Sequence, residues 1–102
     1  MMHVESRNAA EATRLAQAKI EELAKLDFAT APAIQITGTD SLNADVPNYF
    51  DAPIPGLVLR RWQVQAGPSP TGTTRLVTVR VINRQGSLGA RTVDLTTVLR
   101  EW

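Results

Sequence analysis

Residues Asn8–Asp27, NAAEATRLAQAKIEELAKLD, contain neither proline nor glycine. Alanine, leucine, glutamate, glutamine and lysine dominate the stretch, and these side chains lose least on entering a helix. Ala9, Ala12, Ala16, Ile20 and Leu23 recur at spacings of three and four, flanked by Leu15 and Leu26. Glu11, Arg14, Glu21, Glu22 and Lys25 fall largely elsewhere, which is the pattern of a helix with one buried side. The spacing predicts a helix over residues 8–28. Asn8 followed by Glu11 has the form of a capping box, and Glu21 with Lys25 is a favourable pair one turn apart.

The buried stripe changes character along its length. It is alanine as far as Ala16, and only from Ile20 does it carry large side chains. Alanine at 9, 12 and 16 permits close approach of another surface, either the domain's own or a neighbouring helix. Ala9, Ala12 and Ala16 are therefore the candidate assembly interface.

Downstream, Pro32 closes the helical region. Residues 38–56 combine Gly38, Pro47, Pro53, Pro55 and Gly56 with Asp40, Asn43, Asp45, Asn48 and Asp51, a density of turn formers that predicts a long surface loop. Within residues 29–56, a short strand over Ala33 to Thr37 is the one regular element expected. Tyr49, Phe50 and Ile54 could pin the loop to the body.

Three strands follow. In residues 57–66, Val58, Trp62, Val64 and Ala66 share one face, interrupted by Arg60. In 75–83, Val77, Val79 and Val81 face one way and Thr78 and Arg80 the other. In 91–99, Val93, Leu95 and Leu99 oppose Thr92, Asp94 and Thr96. The connections, residues 67–73 and 84–90, are short enough for hairpins, so residues 57–99 read as an antiparallel meander. The only cover available for its apolar face is the helix. The expected fold is α+β in one domain spanning residues 1–102: an N-terminal amphipathic helix packed on a three- to four-stranded antiparallel sheet.

With 102 residues and 43% hydrophobic content, the chain suits one packed core and little more. The formal net charge of +1 hides an asymmetry. Residues 29–56 carry Asp40, Asp45 and Asp51 and no base, whereas residues 57–102 carry seven arginines against Asp94 and Glu101. Those arginines form no run, so nucleic acid is not the expected partner. Trp62 beside Arg60 and Arg61 could stack on a base, but period two places it with Val58 and Val64, in the core.

Chemistry is sparse. The chain has no cysteine, which removes disulfides, thiol catalysis and cysteine-bound metals. Its one histidine, His3, lies near the chain start. Gly67-Pro68-Ser69-Pro70-Thr71-Gly72-Thr73-Thr74 has phosphate-loop glycine spacing without the lysine and joins two strands, which reads as a hairpin loop. Gly86-Ser87-Leu88-Gly89 does not have nucleophile-elbow spacing, and a serine triad there would have no base. Asp40, Asp45 and Asp51 lack the alternation of a calcium loop and read as turn initiators. No catalytic, cofactor or metal residue is expected, and the chain is expected not to be an enzyme.

The succession of features resembles the PilV-like minor type IV pilins and the I-type minor pseudopilins of type II secretion systems. Ala12-Thr13-Arg14-Leu15-Ala16-Gln17-Ala18-Lys19-Ile20-Glu21-Glu22-Leu23 resembles the segment in which such proteins leave the membrane, and Leu26-Asp27-Phe28 the end of that helix. Arg61-Trp62-Gln63-Val64, Val77-Thr78-Val79-Arg80-Val81 and Val93-Asp94-Leu95-Thr96-Thr97-Val98-Leu99 resemble the family's closing strands, in order. The family's leader, processing site and apolar helix have no counterpart here. The resemblance implies about 25 apolar residues upstream of Met1 that anchor the natural chain in the inner membrane.

It further implies a structural subunit of a pilus or pseudopilus at or near the filament tip, with other pilin or pseudopilin subunits as partners. The expected location is the inner membrane facing the periplasm, or a cell-surface filament, while residues 1–102 alone are expected to be soluble. A cystatin-like cone fold, acting as small-ligand binder or enzyme, and a phage structural subunit remain as alternatives. A pocket lined by Trp62, Tyr49 and Asp94 would favour the cone fold.

Overall fold

The computed structural model describes residues 4–86 and 89–101, with side chains from residue 9 onward. The capping side chain proposed at Asn8, His3 and the Ser87-Leu88 pair lie outside that description. One helix, α1 (Val4–Ala24), packs on a four-stranded antiparallel sheet of β1 (Phe50–Ile54), β2 (Val58–Ala66), β3 (Thr74–Asn83) and β4 (Arg91–Arg100), in the order β1-β2-β3-β4. The expected α+β arrangement of a helix over a meander is present. Among the described residues, no helix is long and apolar enough to cross a membrane.

Helix α1 begins before Asn8, so the Asn8–Glu11 capping box does not mark its start. Glu11 is instead bonded to Arg14, at 2.6 Å. It also ends earlier than residue 28. Lys25 and Leu26 donate to the carbonyls of Glu22 and Leu23 at 3.2 Å, three residues back, which tightens the last turn. Asp27 then accepts hydrogen bonds from the Ala29 and Thr30 amides, at 2.9 and 3.1 Å, closing a turn that competes with helix continuation.

Register fixes the faces. Trp62 pairs with Val79 and Val79 with Leu95, while Val64 pairs with Val77 and Arg60 with Val81. Cross-strand partners share a face, so these residues look toward α1, where Val64, Val77, Val79 and Val81 are fully buried. The opposite face carries Arg61, Arg80 and Asp94 in one row. From the helix, Ala12, Leu15, Ala16 and Leu23 complete the core, with Ile34 from the connection beneath.

Two expectations about residues 29–56 are corrected. Residues 33–37 do not form a strand. Pro32 opens a single 3-10 turn, Pro32–Ile34, and the carbonyls a strand would need are taken by side chains. The Ala33 carbonyl accepts from Trp62 Nε1 at 2.9 Å and the Ile34 carbonyl from Arg75 at 3.0 Å. Only Thr37 pairs with the sheet, its amide donating to the Val64 carbonyl at 2.8 Å and its hydroxyl accepting from the Val64 amide at 3.0 Å.

The strand of this region is β1, inside the stretch expected to be loop. Its ladder is irregular between Asp51 and Ile54, and Pro53 sits in that irregularity, where an edge strand tolerates a missing amide. Residues 67–73 form the expected hairpin loop: the Gly67 amide donates to the Thr74 carbonyl at 3.1 Å, and a side chain at Gly67 would collide with Thr74.

Candidate functional site

The helix stripe settles where its alanines go. Ala12 and Ala16 have no exposed surface and belong to the domain's own core, whereas Ala9 is half-buried. Of the two surfaces these residues can approach, Ala12 and Ala16 meet the chain's own sheet. Only Ala9 retains area for a neighbour.

Between Ala16 and Leu23 the stripe carries a charge. Lys19 lies at the spacing of the core positions 12, 16 and 23, and its side chain is only 5% exposed. Its ammonium bonds to Asp51 at 2.7 Å and to Glu22 at 3.0 Å, and it sits 4.6 Å from the centre of the Trp62 ring. Asp51, on β1, is gripped from the other side by Arg60 of β2, whose Nε and Nη2 lie 2.7 and 2.8 Å from its two carboxylate oxygens. Arg60 also donates to the Leu15 carbonyl at 3.2 Å.

One carboxylate therefore joins the helix, the edge strand and the neighbouring strand. Burial pushes the Asp51 carboxyl up, but the hydrogen bonds from Arg60 and Lys19 outweigh it and hold the group below its ordinary value of 3.8. Trp62, 4% exposed, closes the cluster as a core tryptophan and offers no face for base stacking. Lys19 was missed as a core residue because it is charged. Its position in the stripe, opposite the inward-facing Arg60 and an acid-rich segment, is the signal that marks it.

The three aspartates of residues 38–56 do not converge. Asp51 is in the cluster just described. Asp45 pairs with Arg61 at 2.9 Å on the opposite face of the sheet. Asp40 accepts from the Leu42 and Asn43 amides and from the Asn43 side chain, at 3.2, 3.3 and 2.8 Å, which is a turn. Among the described residues no group of three or more potential ligands could hold a metal ion.

Arg80 and Arg75 are similarly committed. Arg80 forks onto Asp94, with both bonds at 2.9 Å, and reaches Asn43 at 2.8 Å. Arg75 lies over the Phe28 ring at 3.7 Å and donates to the Phe28 and Ile34 carbonyls. The loop thus runs from the helix side, around the β2 edge, to the outer face and back. On the way Ser41 donates to the Trp62 carbonyl at 2.8 Å and the Tyr49 carbonyl accepts from the Trp62 amide at 3.0 Å.

Trp62 and Asp94 look to opposite faces of the sheet, so with Tyr49 they cannot line a single pocket. An apolar hollow of about 240 Å3 lies under the helix end, between Leu23, Leu26, Phe28, Ile34 and Leu99. Comparison of the chain with known protein families, with curated proteins and with solved structures gives no match.

Proposed function

We propose that the chain is the head of a structural assembly subunit, of the kind the sequence resembles in minor type IV pilins and type II secretion minor pseudopilins. The observation that carries this reading is the architecture: one N-terminal helix laid along one face of an antiparallel meander. The ionic side chains at the helix–sheet seam support it, because Lys19, Asp51 and Arg60 bond to one another and hold helix to sheet. On this reading the protein works by packing, its neighbours are other pilin or pseudopilin subunits, and a segment upstream of Met1 ties it to the inner membrane.

The test is deletion of the gene from its native host, followed by counting of surface filaments and assay of secreted protein. The expected result is loss of one or the other, restored by the complete gene. Normal filaments together with normal secretion would count against the reading.

A further inference from the structure

The two edges of the sheet are finished differently. On the β1 side, Pro53 and an irregular ladder interrupt the edge strand, and where β1 stops short of β2, Thr37, Ser41 and the Tyr49 carbonyl bond to the β2 backbone at Trp62 and Val64. Natural sheets blunt an exposed edge in this way. On the other side, β4 runs through RTVDLTTVLR with no proline, glycine or lysine.

The direction of its free groups follows from the ladder. The amides of Trp62 and Val64 point away from β3, so the odd residues of β2 bond to β3, and alternation carries through to β4. Its odd residues bond to β3, as the Glu101 amide does to the Thr73 carbonyl at 2.9 Å. The amides and carbonyls of Thr92, Asp94, Thr96, Val98 and Arg100 point outward, without backbone partners among the described residues.

We propose that a second copy of this chain docks on this edge, β4 against β4 and antiparallel, doubling the four-stranded sheet across a two-fold axis through Thr97. A symmetric antiparallel pair keeps each face continuous only if the axis passes through a residue, since a one-residue slip turns every side chain over. With the axis at Thr97, Asp94 of each copy, 42% exposed and already paired with Arg80 of its own chain, faces Arg100 of the other on the outer face, which sets a second guanidinium beside the carboxylate.

On the inner face Leu95 of one copy faces Leu99 of the other, beside the apolar hollow under the helix end, which Leu99 lines. A partner shifted by two residues would set Asp94 against Val98 and Leu95 against Thr97, losing both matches. The partner strand thus supplies main-chain bonds to the free edge and an apolar side chain next to the hollow, as strand addition generally does. This inference does not depend on the filament reading.

The chain has no cysteine, so single cysteines report register directly. Thr97 would face its own copy as a non-hydrogen-bonded pair, with Cβ atoms about 4.5–5.5 Å apart, whereas the two copies of Thr96 would lie on a diagonal about 7–8 Å apart, beyond disulfide reach. Under mild oxidation T97C should form a covalent dimer at least about tenfold faster than T96C. By sedimentation equilibrium the unmodified chain should dimerise, and R100E, which places acid against Asp94, should weaken the dimer by about tenfold while leaving thermal unfolding of the monomer unchanged. A chain that stays monomeric at every concentration, a dimer indifferent to R100E, or T96C crosslinking faster than T97C would each overturn the proposal.

Discussion

Asp51 and Asp45 are both loop aspartates paired with arginine, yet they are not equivalent. Asp51 lies between two largely buried cations, with its carboxylate 32% exposed, while Asp45 meets Arg61 with half of its side chain in water. Removing one partner of a buried pair leaves an uncompensated charge, whereas exposed pairs contribute little. D51A should therefore lower the unfolding free energy by about 3 kcal/mol, and D45A by less than about 1 kcal/mol, as read by urea denaturation. The pH dependence has a definite sign. Because the folded state holds Asp51 below its ordinary value of 3.8, the stabilisation is fully present above that pH and is lost as pH falls through the lower folded value. Asp27, held low by the Ala29 and Thr30 amides, acts in the same direction. Urea titrations between pH 6 and about pH 2 should show this loss, and D51N should flatten the curve.

At the scale of elements, the alanines of α1 set how closely the helix lies on the sheet. Ala12 and Ala16 have no exposed surface, while Ala10 faces solvent. A16L should cost about 1–3 kcal/mol by overpacking, and A10L should stay within about 0.5 kcal/mol of the parent chain. Thermal unfolding of the two variants checks the contrast. The same elements show what periodicity makes legible. Three strands and the helix were readable because their apolar residues repeat at two and at three to four, and the structure places them within a few residues of the expected limits. β1 was not, because Pro53 and the irregular ladder break period two and the surrounding aspartates read as turn formers. The helix end was set by Asp27 capturing two amides, a local competition that apolar spacing does not register. Lys19 is ambiguous in the sequence because its position marks it as core and its charge marks it as surface, and only the fold brings Asp51 to it.

On the scale of the whole molecule, the charge asymmetry of the sequence becomes a contact pattern. The acidic segment folds back on the basic strands, Asp45 to Arg61 and Asp51 to Arg60, and Arg80 finds Asp94 on the neighbouring strand. Within residues 38–56, Ser41 and Tyr49 bond to the Trp62 backbone and so close part of the β2 edge. Little of this was legible in advance, since residues 38–56 carry no periodic signal that states where a loop goes. The proposed role of this helix-on-sheet unit, as the head of a membrane-tied filament subunit, is tested most directly by cell fractionation. Produced in its native host from the complete natural reading frame, the protein should sediment with the inner membrane, resist extraction by high salt and alkali, and enter the sheared filament fraction when filaments assemble. Recovery as a monomer in the soluble fraction, with none in the membrane, would contradict it.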